Sequence, residues 1–84
     1  MSSEILKNGE KRVIGVKQTL KSIEKKCAKL VFVAQDADSV IVQPITEACV
    51  RNGVEYQNIS TMQELGKLCG IHVGAAAAAI LKDW

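Results

Sequence analysis

Few side chains in this 84-residue sequence are suited to covalent chemistry, and each set has a plainer alternative. Cys69 and His72 stand three apart, a spacing at which a thiol and an imidazole can act as nucleophile and base. No second histidine accompanies them, and a cysteine at a helix end is most often a small buried hydrophobe. Asp36 and Asp38 follow an apolar run, where α/β proteins keep functional groups. Two acids in a turn more often cap helices or bond their own backbone. Gly66, Gly70 and Gly74 recur every fourth residue, but no Lys-Ser/Thr follows them as a phosphate-binding loop requires. They read better as a helix-packing glycine, a helix C-cap and a loop glycine. Phe32, Tyr56 and Trp84 are the only aromatic residues and lack the spacing of a base-stacking platform. No enzyme is expected, and no cofactor.

What survives is the stretch Ile14-Gly15-Val16-Lys17-Gln18-Thr19-Leu20-Lys21. Helices usually begin on Ser, Thr, Asp or Asn, with acids in the first turn that suit the positive end of the dipole. This one begins on Gly15 and shows Lys17, Gln18 and Lys21 instead. A positive helix end with added cations suits an anionic partner. The charge distribution agrees: residues 1–29 hold eight Lys or Arg against three acids, and residues 30–84 three against six. Such asymmetry suggests one face for an anion, the alternative being a solvated lysine-rich helix.

Those residues need elements to hold them. The length suits one domain with a modest core. Residues 1–12 are polar and read as partly helical or frayed. Val16, Leu20 and Ile23 recur at helical spacing and predict an amphipathic helix ending near Lys26. Leu30 to Ala34 is apolar without alternation, as in a strand buried on both faces. Residues 35–39 form a turn. A second helix is expected over residues 41–51, with Ile41, Ile45, Ala48 and Cys49 inward, Pro44 in the first turn and Asn52-Gly53 as the stop. Val54 to Ile59 reads as a strand near an edge. Thr61 and Glu64 fit a capping box, opening a helix that buries Met62, Leu65 and Leu68 and ends at Gly70. Ile71 to Gly74 is a loop. Five alanines from Ala75 favour helix by propensity; a small-residue strand under packed helices is the alternative, and it better completes an α/β sandwich.

Cys27, Cys49 and Cys69 are 22 and 20 apart with no paired spacing, poor material for disulfides or zinc and suited to a reducing compartment. The opening residues do not resemble a secretion signal, and Val73 to Leu81 is too short for a bilayer. A cytoplasmic protein with no membrane partner is expected, and a monomer, since no long apolar stripe is left over.

The heptad Gly15 to Lys21 resembles the glycine-led RNA-contact motif of the kink-turn-binding ribosomal proteins, the L-seven-Ae and L-thirty-e branches. The resemblance continues through Lys29 to Ala37, Leu65 to Ile71 and Val73 to Ala77, in order and with similar spacing. It is nearest the short homologues of Gram-positive bacteria. It implies a three-layer α/β/α sandwich around a roughly four-stranded mixed sheet, with a strand near Ala76 to Leu81. It also implies an RNA partner, a kink-turn in which tandem G·A pairs flank a three-nucleotide bulge, in the ribosome or another ribonucleoprotein. By the same resemblance Gly15 lets the backbone approach RNA. Lys17 and Gln18 stand where archaeal members carry Asn and Glu against guanine edges, and Lys21 matches an RNA-contacting lysine. Ile71, His72 and Val73 match the loop over the bulged nucleotides, without the arginine of archaeal members. Lys67 is a phosphate contact by position. A protein–protein scaffold on the same fold is the alternative function.

Overall fold

The alanine run is a strand. In the computed structural model, which describes residues 12–82, the chain order is β1 (Arg12–Ile14), α1 (Val16–Glu24), β2 (Ala28–Ala34), α2 (Ser39–Asn52), β3 (Glu55–Ile59), α3 (Met62–Leu68) and β4 (Ala77–Leu81). The sheet order is β1-β4-β2-β3, with β4 antiparallel to both neighbours and β2 parallel to β3. An interior strand between two packed faces overrides the helix preference of alanine, because each small side chain lets a helix lie close.

Alternation along the two interior strands makes two cores. Val31, Val33, Ala77 and Ala79 point to one face, where Ile23 of α1 and Ile45, Ala48 and Cys49 of α2 cover them. Phe32, Ala34, Ala78 and Ile80 point to the other, under Leu65 of α3, Cys69 and the partly buried Leu68. Helices therefore lie on both sides of a mixed four-stranded sheet, the expected three-layer α/β/α sandwich. β3 is an edge strand with four exposed residues, as its weaker apolar pattern suggested.

Several local expectations give way to tertiary packing. Arg12, the last residue of the segment read as partly helical or frayed, instead begins the edge strand β1; residues 1–11 lie outside the described residues. The fully buried side of α1 is Thr19, Ser22 and Ile23, while Val16 and Leu20 are half-buried. Small polar side chains fit where α1 crosses α2, and Ser22 Oγ meets its own hydrogen-bond need by donating to the Thr19 carbonyl at 2.7 Å. α2 begins two residues earlier than expected, so Pro44 falls within the helix, not in its first turn. The donor it lacks would have served the carbonyl of Val40, a residue open to water. Ile41 and Met62, expected inward, are 45% and 37% exposed.

Candidate nucleic-acid interface

Each of the three described helices begins at the same end of the sheet, beyond the C-terminal ends of β1, β2 and β3, but they begin differently. Asp38 Oδ1 accepts the Val40 N–H at 3.0 Å and caps α2. Thr61 Oγ1 accepts the Glu64 N–H at 3.0 Å and caps α3, one half of the expected capping box. Asp36, the other acid of the 35–38 turn, accepts the Met62 N–H at 2.7 Å and so ties that turn to the start of α3. Both aspartates serve helix termini and neither is free for catalysis.

α1 has no such cap. Gly15 offers no side chain, no acid lies in the first turn, and the first helical bond runs from Thr19 N–H to the Gly15 carbonyl at 3.0 Å. The three N–H groups before it belong to Val16, Lys17 and Gln18, the orphan donors of a helix start. Gly15 sits at φ 105° and ψ 156°, a region open essentially to glycine alone. A Cβ there would meet nothing within 4 Å, so the backbone, not crowding inside the protein, demands glycine. The space it leaves open is available to a ligand. Lys17, Gln18 and Lys21 are all exposed, and helical spacing sets Lys21 beside both of the others.

The loop from Ile71 to Val73 lies at the same end, on the α3 side of the sheet. Its position is fixed by three glycines. Gly70 takes φ 77° as α3 ends. Gly66 lets the Val73 carbonyl lie directly on α3, where a Cβ would collide with it. Gly74 passes close to Met62, and Ala75 N–H donates to the Met62 carbonyl at 3.0 Å. The packing, C-cap and loop roles expected for these glycines are the ones they fill. Ile71 is half-buried against the core, while His72 and Val73 project into solvent, Val73 70% exposed. Lys67 of α3 joins them around a depression of about 170 Å³ that also includes Gln63 and Gly74.

The two parts meet through β4: Gly15 N–H donates to the Ala77 carbonyl at 2.8 Å, three residues after the loop ends at Gly74. The sheet thus brings Gly15, Lys17 and Gln18 to one side of its end and Lys67, Ile71, His72 and Val73 to the other. Arg12, which no sequence motif pointed to, supports this arrangement from below, donating from Nη2 to the Cys69 carbonyl at 3.1 Å. Its strand is too short to show a pattern, and its partner lies 57 residues away.

Cys69 is fully buried beside that arginine. Burial pushes its thiol upward and Arg12 offsets part of the rise, while His72 is exposed to solvent. Cys49, in the other core, is pushed by burial up to about 11. Buried neutral thiols are packing groups rather than nucleophiles. All three cysteines are free, and no cluster suited to a metal ion occurs among the described residues. No described helix is long and apolar enough to cross a membrane.

This edge can be set beside known proteins. The model of the "Ribosomal protein L7Ae/L30e/S12e/Gadd45 family" matches residues 3–83. The chain belongs to that family. An RNA-binding protein of Caldanaerobacter subterraneus subsp. tengcongensis is 49% identical over 69 residues, covering 82% of this chain and 84% of the relative. The RNA-binding protein YbxF of Geobacillus stearothermophilus is 43% identical over 82 residues, covering 98% of this chain and all of its own. Among solved structures, a 15.5kD RNA binding protein of Giardia lamblia is 30% identical with a TM-score of 0.85, over 96% of this chain and 68% of that one. The family and its short bacterial members are those the heptad and later stretches resembled. These relatives are named for RNA binding, not for a reaction.

Proposed function

We propose that this chain is a non-enzymatic RNA-binding module that recognises and stabilises the kink-turn, in the ribosome or another ribonucleoprotein. The observation that carries this reading is the start of α1, with neither cap nor acid, opening onto free space beside two exposed hydrogen-bonding side chains. Regular A-form RNA hides its base edges in a deep, narrow major groove. A sharply kinked site is wider and admits the first turn of a helix. The orphan N–H groups and the dipole then face phosphate. The Lys17 ammonium donates to guanine O6 or N7, and the Gln18 amide can donate and accept. Lys21 reaches the backbone one turn on, with Lys67 doing so from the other side. Ile71, His72 and Val73 offer an apolar and ring surface to the bulged nucleotides.

Binding only the kinked conformer draws flexible RNA into it by population shift. The test is a titration at two salt concentrations against two hairpins, one with a kink-turn and one with its tandem G·A pairs changed to Watson–Crick pairs. At least tenfold preference for the first is expected. Equal, salt-labile binding to both would reduce the edge to an electrostatic patch. A second reading, a protein scaffold, draws on the exposed Val40 and Val50 of α2, 76% and 74% accessible. Binding to neither hairpin would favour it.

A further inference from the structure

The three described helices end alike, and one of them does so with an unexpected residue. After α2, Val54 N–H donates to the Cys49 carbonyl at 2.8 Å around Gly53 at φ 68°. After α3, Ile71 N–H donates to the Gly66 carbonyl at 3.0 Å around Gly70 at φ 77°. After α1, Cys27 N–H donates to the Ser22 carbonyl at 3.0 Å, but the left-handed residue is Lys26, at φ 60°. Glycine adopts this conformation without the Cβ clash that other residues suffer. Lysine at this turn therefore costs stability that glycine would not.

Its side chain stands at the end of the sheet opposite the candidate interface, where Lys82 N–H bonds the Cys27 carbonyl. There Lys26, Lys29, Lys82, Asn52 and Gly53 surround a basin of about 280 Å³, with Glu55 the one carboxylate in its lining among the described residues. Lys26 and Lys29 are exposed, and neither forms an ion pair among the described residues. The seven residues of β2 separate the two ends by roughly 20 Å. Lys21 and Lys25 of the α1 region stand between the two ends. Gln18, Lys21 and Lys25 line a groove of about 160 Å³ beside α1, floored by Val13 and Leu81. Glu24, the acid of α1, turns instead toward Arg51 of α2, 4.0 Å away.

We propose that a stem of the bound RNA runs along this groove, and that Lys26 and Lys29 hold its phosphates at the far end. The inference rests on the kink-turn reading and adds a second contact to it. It accounts for a lysine at the one helix end where glycine would be more stable.

The experiment uses the full chain, the variant Lys26→Gly and the double variant Lys26→Gly/Lys29→Gln. The RNAs are two hairpins with the same kink-turn, one stem trimmed at the kink and the other lengthened by about a helical turn. On the long stem, the double variant should lower the slope of log affinity against log salt by about 1 to 2, near one per lost phosphate contact. On the trimmed stem the slope should not change. Lys26→Gly alone should raise Tm while weakening long-stem binding. An unchanged slope on the long stem, with kink-turn selectivity intact, would overturn this proposal and leave the first standing. Equal losses on both stems, or a lower Tm for Lys26→Gly, would also overturn it. Failure of the parent chain to prefer the kink-turn would remove both.

Discussion

At the starts of α2 and α3 a side-chain oxygen takes up a free N–H, whereas at the start of α1 the equivalent position has no side chain at all. A side-chain cap contributes about 1 kcal/mol over alanine but only about a few tenths over glycine, and an acid near the first turn adds about 0.3–1. α1 forgoes both in a small domain where total stability is about 5–15 kcal/mol. The capped starts look after the fold; in the proposed function the bare one keeps its donors for RNA. The contrast separates what the helix needs from what a ligand would need, and it can be attacked from either side.

The largest effect is expected from trying to repair α1. If Gly15 were only a poor cap, Gly15→Asp would stabilise the protein by about a few tenths of a kcal/mol. Its backbone lies where other residues carry about 1–3 kcal/mol of strain, so a net loss near 2 kcal/mol is expected in urea denaturation. A gain would erase the distinction between the three starts. Next come Asp38→Ala and Thr61→Ala, each expected to cost about 1 kcal/mol and to leave kink-turn affinity unchanged within twofold. Loss of affinity in either, measured under conditions where the variant stays folded, would show that the capped starts also serve binding. The smallest change in stability is expected from Lys17→Glu, which puts an acid at the positive helix end and should add about 0.5 kcal/mol. The same variant should lose at least tenfold in kink-turn affinity. A variant that is both more stable and equally tight would mean that α1 is not the contact.

Much of this contrast could be read from the residues. Thr61 with Glu64, Asp38 and the helix start at Gly15 are local signals that control atoms within a few positions, whereas Asp36 reaches the Met62 N–H 26 residues on. A strand from alanines whose own propensity is helical followed not from locality but from completing the sandwich, and the family resemblance implied the same. Features set by distant partners stayed hidden. β1 is three residues paired with Ala78 to Ile80, and nothing within three residues announces such a partner. Thr19 and Ser22 are buried because α2 crosses there, while the apolar Val16 and Leu20 they displace lie only half-covered. At the interface, Gly15 was expected for close approach; its positive φ is a backbone requirement visible only in three dimensions. Likewise Gly66 reads as a packing glycine, but that it seats the Val73 carbonyl, and so the loop, depends on the fold.

The bond from Gly15 N–H to the Ala77 carbonyl at 2.8 Å has a kinetic consequence. It hangs the start of α1 from the strand into which the 71–74 loop runs, while the Ala34 N–H holds the neighbouring Ala76 carbonyl at 2.9 Å. Both sides of this end of the sheet are thus held by the same strand among the described residues. For an RNA that must bend to fit, the ordering entropy falls on the nucleic acid rather than on the protein. The rate of capture would then follow how often the RNA visits its bent shape.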